Sequence, residues 1–368
     1  MYDYLVVGAG MFGATFAREM ADAGKRCLVI DRRDHIGGNC FTEAVEGIQV
    51  HRYGPHIFHT ENPQIWAYVQ RFAAFNNFTY RPRVSYRGKI FSFPINLMTL
   101  SQLWGVNTPQ EAEAKLRAVR ISDADTSNLE GWLLSRVGHE LYETFYEGYT
   151  TKQWGRPPAL LPPSIAARIP IRLTFDDNYY SDRYQGIPIG GYTSLIGNML
   201  RGVEVRLKCD YFEDPAFFQG CARTVVYTGP IDQFFGYAHG HLEYRSLRFE
   251  QEVLQGDFQG VAAVNYTDLV IPHTRIVEHK HFEASAQREL TVITREYPVP
   301  VGSTEEPFYP VNDTVNNAIY AKYREMADTD PTLFGGRLAS YKYFDMHHVI
   351  AQAIALSRKQ RECPGQKR

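Results

Sequence analysis

The stretch Tyr4-Leu5-Val6-Val7-Gly8-Ala9-Gly10-Met11-Phe12-Gly13 decides the first part of the fold. Tyr4 to Val7 is a continuous apolar run of strand length, and three glycines follow it closely. From Met11 the apolar spacing turns helical and runs to Gly24, a residue that ends helices well because it takes positive φ without strain. A second apolar run, Arg26 to Ile30, ends in Asp31, eighteen residues after Gly13. Strand, glycine turn, helix and strand make a βαβ unit, which opens a doubly wound parallel sheet. In such a turn Gly8 and Gly10 let the backbone approach a diphosphate. Gly13 lets helix and strand pack closely, and Asp31 is placed to bond a ribose. The helix N-terminus adds oriented N–H groups and the positive end of a dipole.

Which dinucleotide is expected follows from what comes next. Arg32-Arg33-Asp34-His35-Ile36-Gly37-Gly38-Asn39 puts a second glycine pair behind basic residues. Thr224 to Gly229 (TVVYTG) reads as a return strand of the same sheet, and Gly335-Gly336-Arg337 precedes a C-terminal helix from Met346 to Arg361. The three features together favour FAD over NAD. His51, His56 and His59 have no cysteine or carboxylate cluster beside them, so no metal site is expected. One or two of them are read instead as hydrogen-bonding groups lining the flavin pocket, and a buried, satisfied histidine is the other reading.

The remainder of the chain changes period twice. Asn96 to Trp104, Thr108 to Arg120 and Ser127 to Tyr149 carry helical spacing, and Thr108-Pro109 fits an N-cap followed by proline in the first turn. A proline-rich linker, Pro157 to Pro163, follows. From about residue 241 to 300 the period drops to two, predicting antiparallel strands at Leu247–Glu252, Val261–Tyr266, Arg275–His281 and Leu290–Glu296. The fold class expected is α/β: a Rossmann-like FAD-binding domain with a helical insertion and an antiparallel β-sheet domain.

Composition removes other classes. The 368 residues hold 39 Lys+Arg and 41 Asp+Glu, a formal charge of -2, which lacks the basic excess of a nucleic-acid binder. Five cysteines with no CxxC pair fit reduced thiols and exclude dithiol flavoenzymes. The longest apolar run, Leu5 to Ala17, is shorter than the roughly 20 residues a membrane span takes, and the first residues lack the basic start of a signal peptide. A cytoplasmic protein without membrane insertion is expected.

Long, unusual motifs carry a resemblance: YGPHIFHT at 53–60, GYTTKQWG at 148–155, ARIPIR at 167–172, DDNYYSDRYQGIP at 176–188, YTGPIDQFF at 227–235, LEYRSLRFE at 242–250, TRIVEHKHF at 274–282, EPFYPVND at 306–313 and GGRLASYKYFDMHHVI at 335–350. Together they resemble the bacterial UDP-galactopyranose mutases, from residue 2 to about 356. Pro55 departs from the small residue many members carry. The resemblance implies interconversion of UDP-galactopyranose and UDP-galactofuranose without net redox change. In that scheme N5 of reduced FAD attacks the anomeric carbon, UDP leaves, and a flavin–sugar iminium opens and recloses. It also implies a homodimer serving cell-envelope polysaccharide synthesis. Related enzymes accept 2-acetamido sugars, a choice expected near His59.

By motif position the resemblance implies Arg168 and Arg275 as diphosphate ligands, with Arg245 a supporting cation. Phe145 and Tyr149 would meet the uracil, and Trp154 would sit in a mobile loop bracketed by Gly148 and Gly155. Tyr179, Tyr309 and Tyr343 would present hydroxyls, and Asn265 would approach the sugar. Catalytic roles fall to Arg168, Arg275, His59, Tyr343 and Asp345. The cofactor set is Gly8, Gly10, Phe12, Gly13, Asp31, Arg32, Gly38, Asn39, His56, Arg337, Asp345 and Met346. The division expected is a FAD-binding domain over 1–77, 186–240 and 312–368, a β domain over 78–90, 166–185 and 241–311, and a helical domain over 91–165. Two other readings are weighed: a FAD oxidase or dehydrogenase of an amine or sugar, and a non-catalytic nucleotide-sugar binding flavoprotein.

Overall fold

The computed structural model describes residues 1–167, 169–283, 289–299 and 306–362. The chain divides into two compact units, one of residues 1–77, 182–244 and 306–368, the other of residues 78–181 and 245–305.

The first unit is built on strand β1 (Tyr2–Val7), helix α1 (Met11–Asp22) and strand β2 (Cys27–Ile30). Leu5, Val6, Leu28, Val29 and Ile30 are wholly buried, because a parallel sheet is covered on both faces. The sheet has five strands in the order Leu333–Phe334, Ala222–Tyr227, β1, β2, Glu204–Arg206, and every pairing is parallel. β1 is central, with a neighbour from the far part of the sequence on one side and β2 on the other. That is the switch point of a doubly wound sheet, where a cleft opens beyond the strands' carboxyl ends. The return strand ends one residue before Thr228, whose N–H and hydroxyl both donate to Val7 O. α1 packs against the C-terminal helix Met346–Glu362. Gly24 takes φ 74° just past the end of α1.

The second unit has a sheet ordered Tyr244–Gln255, Leu290–Val299, Arg275–Glu278, Ala263–Tyr266, Arg83–Tyr86, Lys89–Ser92. Its pairings are antiparallel except Ala263–Tyr266 with Arg83–Tyr86, which run parallel. Arg83–Tyr86 and Lys89–Ser92 form a hairpin: Arg87 and Gly88 both take positive φ, the conformation of a two-residue turn whose twist matches its strands. The strand expected to reach His281 stops at Glu278 and gives way to a helical turn, His279–Phe282.

Helices Leu97–Trp104 and Pro109–Val119 start at capping boxes on Asn96 and Thr108. Helical structure from Ser127 to Tyr149 is not continuous. Leu129–Tyr142 is interrupted at Gly138 (φ 73°), where a Cβ would lie 2.3 Å from Val119 O, so the close approach of the preceding helix requires glycine. A π-helical turn, Glu143–Glu147, follows, and then a helix from Gly148 to Trp154. Leu97, Leu100, Leu116, Leu133 and Leu141 bury this insertion against Phe91 and Phe93.

Candidate active site

In the first unit a cleft of about 230 Å³ opens at the carboxyl ends of the central strands, lined by Gly8, Gly10, Phe12, Gly13, Asp31, Arg32, Gly38, Asn39, His56, Arg337 and Met346, among others. Backbone geometry makes it. Gly8 takes φ 112°, and a Cβ there would come within 2.0 Å of the Thr228 hydroxyl. A Cβ at Gly13 would lie 2.0 Å from Gly8 O and 3.0 Å from Val6 Cγ1. Gly38 (φ 54°) brings the second glycine turn onto the first: its Cβ would stand 3.1 Å from Gly10 Cα. No side chain caps α1 at Gly10, so the amides of its first turn are left for a ligand anion.

Asp31 Oδ2 accepts from Ala9 N at 2.8 Å and Oδ1 from Arg33 N at 2.9 Å, which fixes the carboxylate while leaving lone pairs for a ribose. Arg32 and Arg33 both pair with Glu306, at 3.1 and 2.5 Å, and Arg33 also donates to Asn39 Oδ1 at 3.0 Å. These features fit an adenine dinucleotide. Cys40 and Cys209 also line the cleft. Burial pushes the Cys40 thiol up to about 12 and raises that of Cys209, so both stay protonated at neutral pH.

In the same unit His59 is buried, with Nδ1 2.5 Å from Asp182 Oδ2 and Nε2 3.9 Å from Asp345 Oδ1. The sequence reading found His59 and Asp345 but not Asp182, which lies inside the quoted DDNYYSDRYQGIP and is brought to His59 only by the pairing of Phe58–Thr60 with Tyr184–Gly186. His347 stands edge-on to His59 at 5.1 Å, and burial, His348 and His59 lower its pKa. Tyr343 stacks on Tyr309 at 5.7 Å, with the Arg337 guanidinium 5.0 Å from the Tyr343 ring centre.

The second unit holds a separate group of the expected residues. Arg275 Nε is 3.0 Å from Glu296 Oε2, the cross-strand partner of Arg275, and Nη1 is 3.4 Å from the Tyr80 hydroxyl. Glu296 is 1% exposed. Burial raises its pKa and Arg275 opposes that shift. A planar guanidinium is suited to the paired oxygens of an anion. Tyr80 meets Tyr179 at 5.3 Å, and Tyr179 meets Phe93 at 6.3 Å. Phe145 is buried, stacked on Phe93 at 6.1 Å and edge-on to Phe91. It lies in the π-helical turn while Tyr149 lies in the next helix, so the two are not on one face of a regular α-helix. Asn265 pairs across the sheet with Arg275, and its amide oxygen is buried without a hydrogen-bond partner among the described residues. Arg245 Nε donates to Gln153 O at 2.9 Å. Trp154 ends a helix and packs on the helical core. Arg168 lies outside the described residues. Tyr80 and Glu296 escaped the sequence reading: Glu296 meets Arg275 through strand register, and Tyr80 lies 195 residues from Arg275 outside any strand.

Two family models match the chain. One is an NAD(P)-binding Rossmann-like domain, over residues 6–72, and the other is UDP-galactopyranose mutase, over residues 144–343, which is more than half of the sequence. The chain belongs to the UDP-galactopyranose mutase family. Membership makes it an isomerase, with FAD as its cofactor. A probable UDP-galactopyranose mutase of Klebsiella pneumoniae is 39% identical over 357 residues, covering 95% of this chain and 92% of that protein. A dTDP-fucopyranose mutase of Escherichia coli is 37% identical over 365 residues, covering 96% and 97%. A crystal structure of reduced UDP-galactopyranose mutase has the same fold, with a TM-score of 0.77 at 14% identity over 100% of this chain and 95% of the other. Among the described residues of this family member no helix is long and apolar enough to cross a membrane.

Proposed function

We propose that the chain interconverts UDP-galactopyranose and UDP-galactofuranose, in the cytoplasm and as a homodimer, for cell-envelope polysaccharide synthesis. The observation that carries this reading is Arg275, an arginine paired through Nε with the buried Glu296 carboxylate, in a chain of this family. Gly8, Gly10, Gly13 and the first turn of α1 hold the FAD diphosphate, Asp31 its ribose, and Arg32, Gly38, Asn39, His56, Phe12, Arg337, Asp345 and Met346 the rest of the cofactor cleft. When bound and reduced, FAD supplies at N5 a nucleophile for the anomeric carbon, chemistry that belongs to the cofactor.

The protein supplies position and proton control. Arg275 and Arg168 anchor the nucleotide diphosphate, with Arg245 behind the Trp154 segment. Phe145, Tyr149 and Trp154 flank the base. Tyr179, Tyr309 and Tyr343 offer hydroxyls to phosphate or sugar, and Asn265 turns its open amide oxygen to a sugar hydroxyl. Asp182 accepts the hydrogen bond of His59 Nδ1–H, so that Nε2, on the Asp345 side, exchanges a proton with a sugar hydroxyl as the ring opens and recloses. The two cleft cysteines, both protonated thiols, support leaving the nucleophile to the cofactor.

The Escherichia coli relative favours a second reading, the same reaction on dTDP-fucopyranose. Dithionite-reduced protein is incubated with UDP-galactofuranose and, separately, with dTDP-fucopyranose, and the products are separated by chromatography. The expected result is UDP-galactopyranose, many turnovers per reduction, and no product from oxidised protein. Turnover of the dTDP sugar alone selects the second reading, and activity in the oxidised state points to an oxidase.

A further inference from the structure

Asn265 and Arg275 sit opposite each other on adjacent strands, joined by the loop 267–274. The loop carries Leu269 and Val270, both exposed. Inside it, four carbonyls converge on one atom. Lys152 Nζ donates to the carbonyl oxygens of Tyr266 at 2.8 Å, Asp268 at 2.8 Å, Ile271 at 2.9 Å and His273 at 3.0 Å. An ammonium is a compact charge with three rotatable donors, so it can serve oxygens converging from several directions as a planar guanidinium cannot.

The loop is also keyed to the helix that carries Lys152. The Thr267 hydroxyl donates to Thr144 O at 2.6 Å, and a Cβ at Gly148 would lie 2.0 Å from Thr267 O. Thr144, Gly148 and Lys152, at intervals of four, therefore all meet the same loop. Gly148 is helical (φ -69°, ψ -38°) and wedged, so it is not the hinge that its sequence position suggests. Trp154 lies two residues beyond Lys152. Among the described residues no carboxylate forms a salt bridge with this ammonium. Burial lowers its pKa to about 8, with Asp268 opposing, and it stays charged at neutral pH. His273 is held near 4 by burial and by Lys152, and so is neutral beside it.

We propose that Lys152 is a positioning residue of the substrate site: its ammonium locks the loop joining Asn265 to Arg275 onto the helix carrying Trp154, so that these three residues hold one arrangement. The proposal rests on the reading that Arg275 and its neighbours bind the nucleotide sugar.

The test measures UDP affinity, retained flavin and melting temperature for the holoenzyme and its variants. Lys152→Met is expected to weaken UDP binding at least tenfold with an unchanged flavin spectrum. Lys152→Arg restores the charge but not the convergence, and is expected to stay weak. Lys152→Ala with added methylammonium is expected to recover most of the affinity. If Lys152→Met melts earlier yet binds UDP as wild type does, or if Lys152→Arg rescues fully, the proposal falls. Arg275→Ala separates the two layers: unchanged affinity there overturns the underlying reading and this proposal with it. Should the Lys152 variants not fold, hydrogen exchange on the wild type decides. Residues 148–154 and 266–273 should gain protection together on UDP binding, and independent responses would overturn the lock.

Discussion

The cofactor cleft of the first unit and the arginine group of the second are made by opposite means. The cleft is made by what is missing. Gly8, Gly13 and Gly38 stand where a Cβ would strike a hydroxyl, a carbonyl or another glycine, and uncapped amides do the binding. The arginine group is made by side chains that brace one another. Glu296 holds Arg275, Lys152 gathers the carbonyls behind it, and Glu278 at the end of the same strand orders the turn Phe258–Gly260. A site shaped by backbone is intolerant of any added atom. A site shaped by buried ions tolerates changes of shape better and depends on protonation.

The largest expected effect tests the first half of that contrast. Gly13→Val puts atoms where Gly8 O already lies 2.0 Å from an ideal Cβ, so helix and turn must separate. Flavin released on boiling should fall to background, while circular dichroism still shows a folded chain. Normal flavin content would mean that the backbone cradle is not what holds the cofactor.

The second prediction tests the charge dependence of the other unit. Burial pushes the Glu278 carboxyl up, but the His281 ring, the N–H groups of Phe258 and Gln259 and the Thr291 hydroxyl outweigh it and hold the group at about 2. A depressed folded-state pKa contributes stability that is fully present above the unfolded value of 4.5 and is lost as pH falls toward 2. Glu278→Gln should therefore cost about 3 kcal/mol near pH 7 and little near pH 2. Denaturant titrations across that window check it, and parallel curves for the two proteins would refute the charge argument.

The smallest effect isolates conformation from crowding. Gly24 has positive φ but no atom within 4 Å of its Cβ position. Gly24→Ala should cost only about 1 kcal/mol of stability and leave flavin content untouched. A loss of flavin here would show that the glycines around α1 act through strain rather than through contact.

The legible and illegible parts of the chain follow the same division. The βαβ opening could be read because each of its requirements is local: an apolar strand, glycines at fixed offsets, an acid at the end of β2. The capping boxes at Asn96 and Thr108 involve residues only three apart, and Thr108-Pro109 was read accordingly. Residues far apart in sequence were harder. Asp182 reaches His59, and Glu296 reaches Arg275, through strand pairings whose register no local pattern specifies. The motifs flagged His59 and Arg275 through resemblance but not the acids that orient them.

By itself, then, the sequence determined the class of fold, the FAD-binding turn and the family, because periodicity and long motifs act over neighbouring residues. Only the tertiary structure decided that Ser127–Tyr149 breaks at Gly138, where the preceding helix passes too close for a Cβ. It also decided that Arg83–Ser92 folds back as a hairpin, and that Lys152 spends its charge on four carbonyls. In each case the deciding atom belongs to a residue remote in the chain or to a backbone angle that many sequences permit, and packing alone selects it.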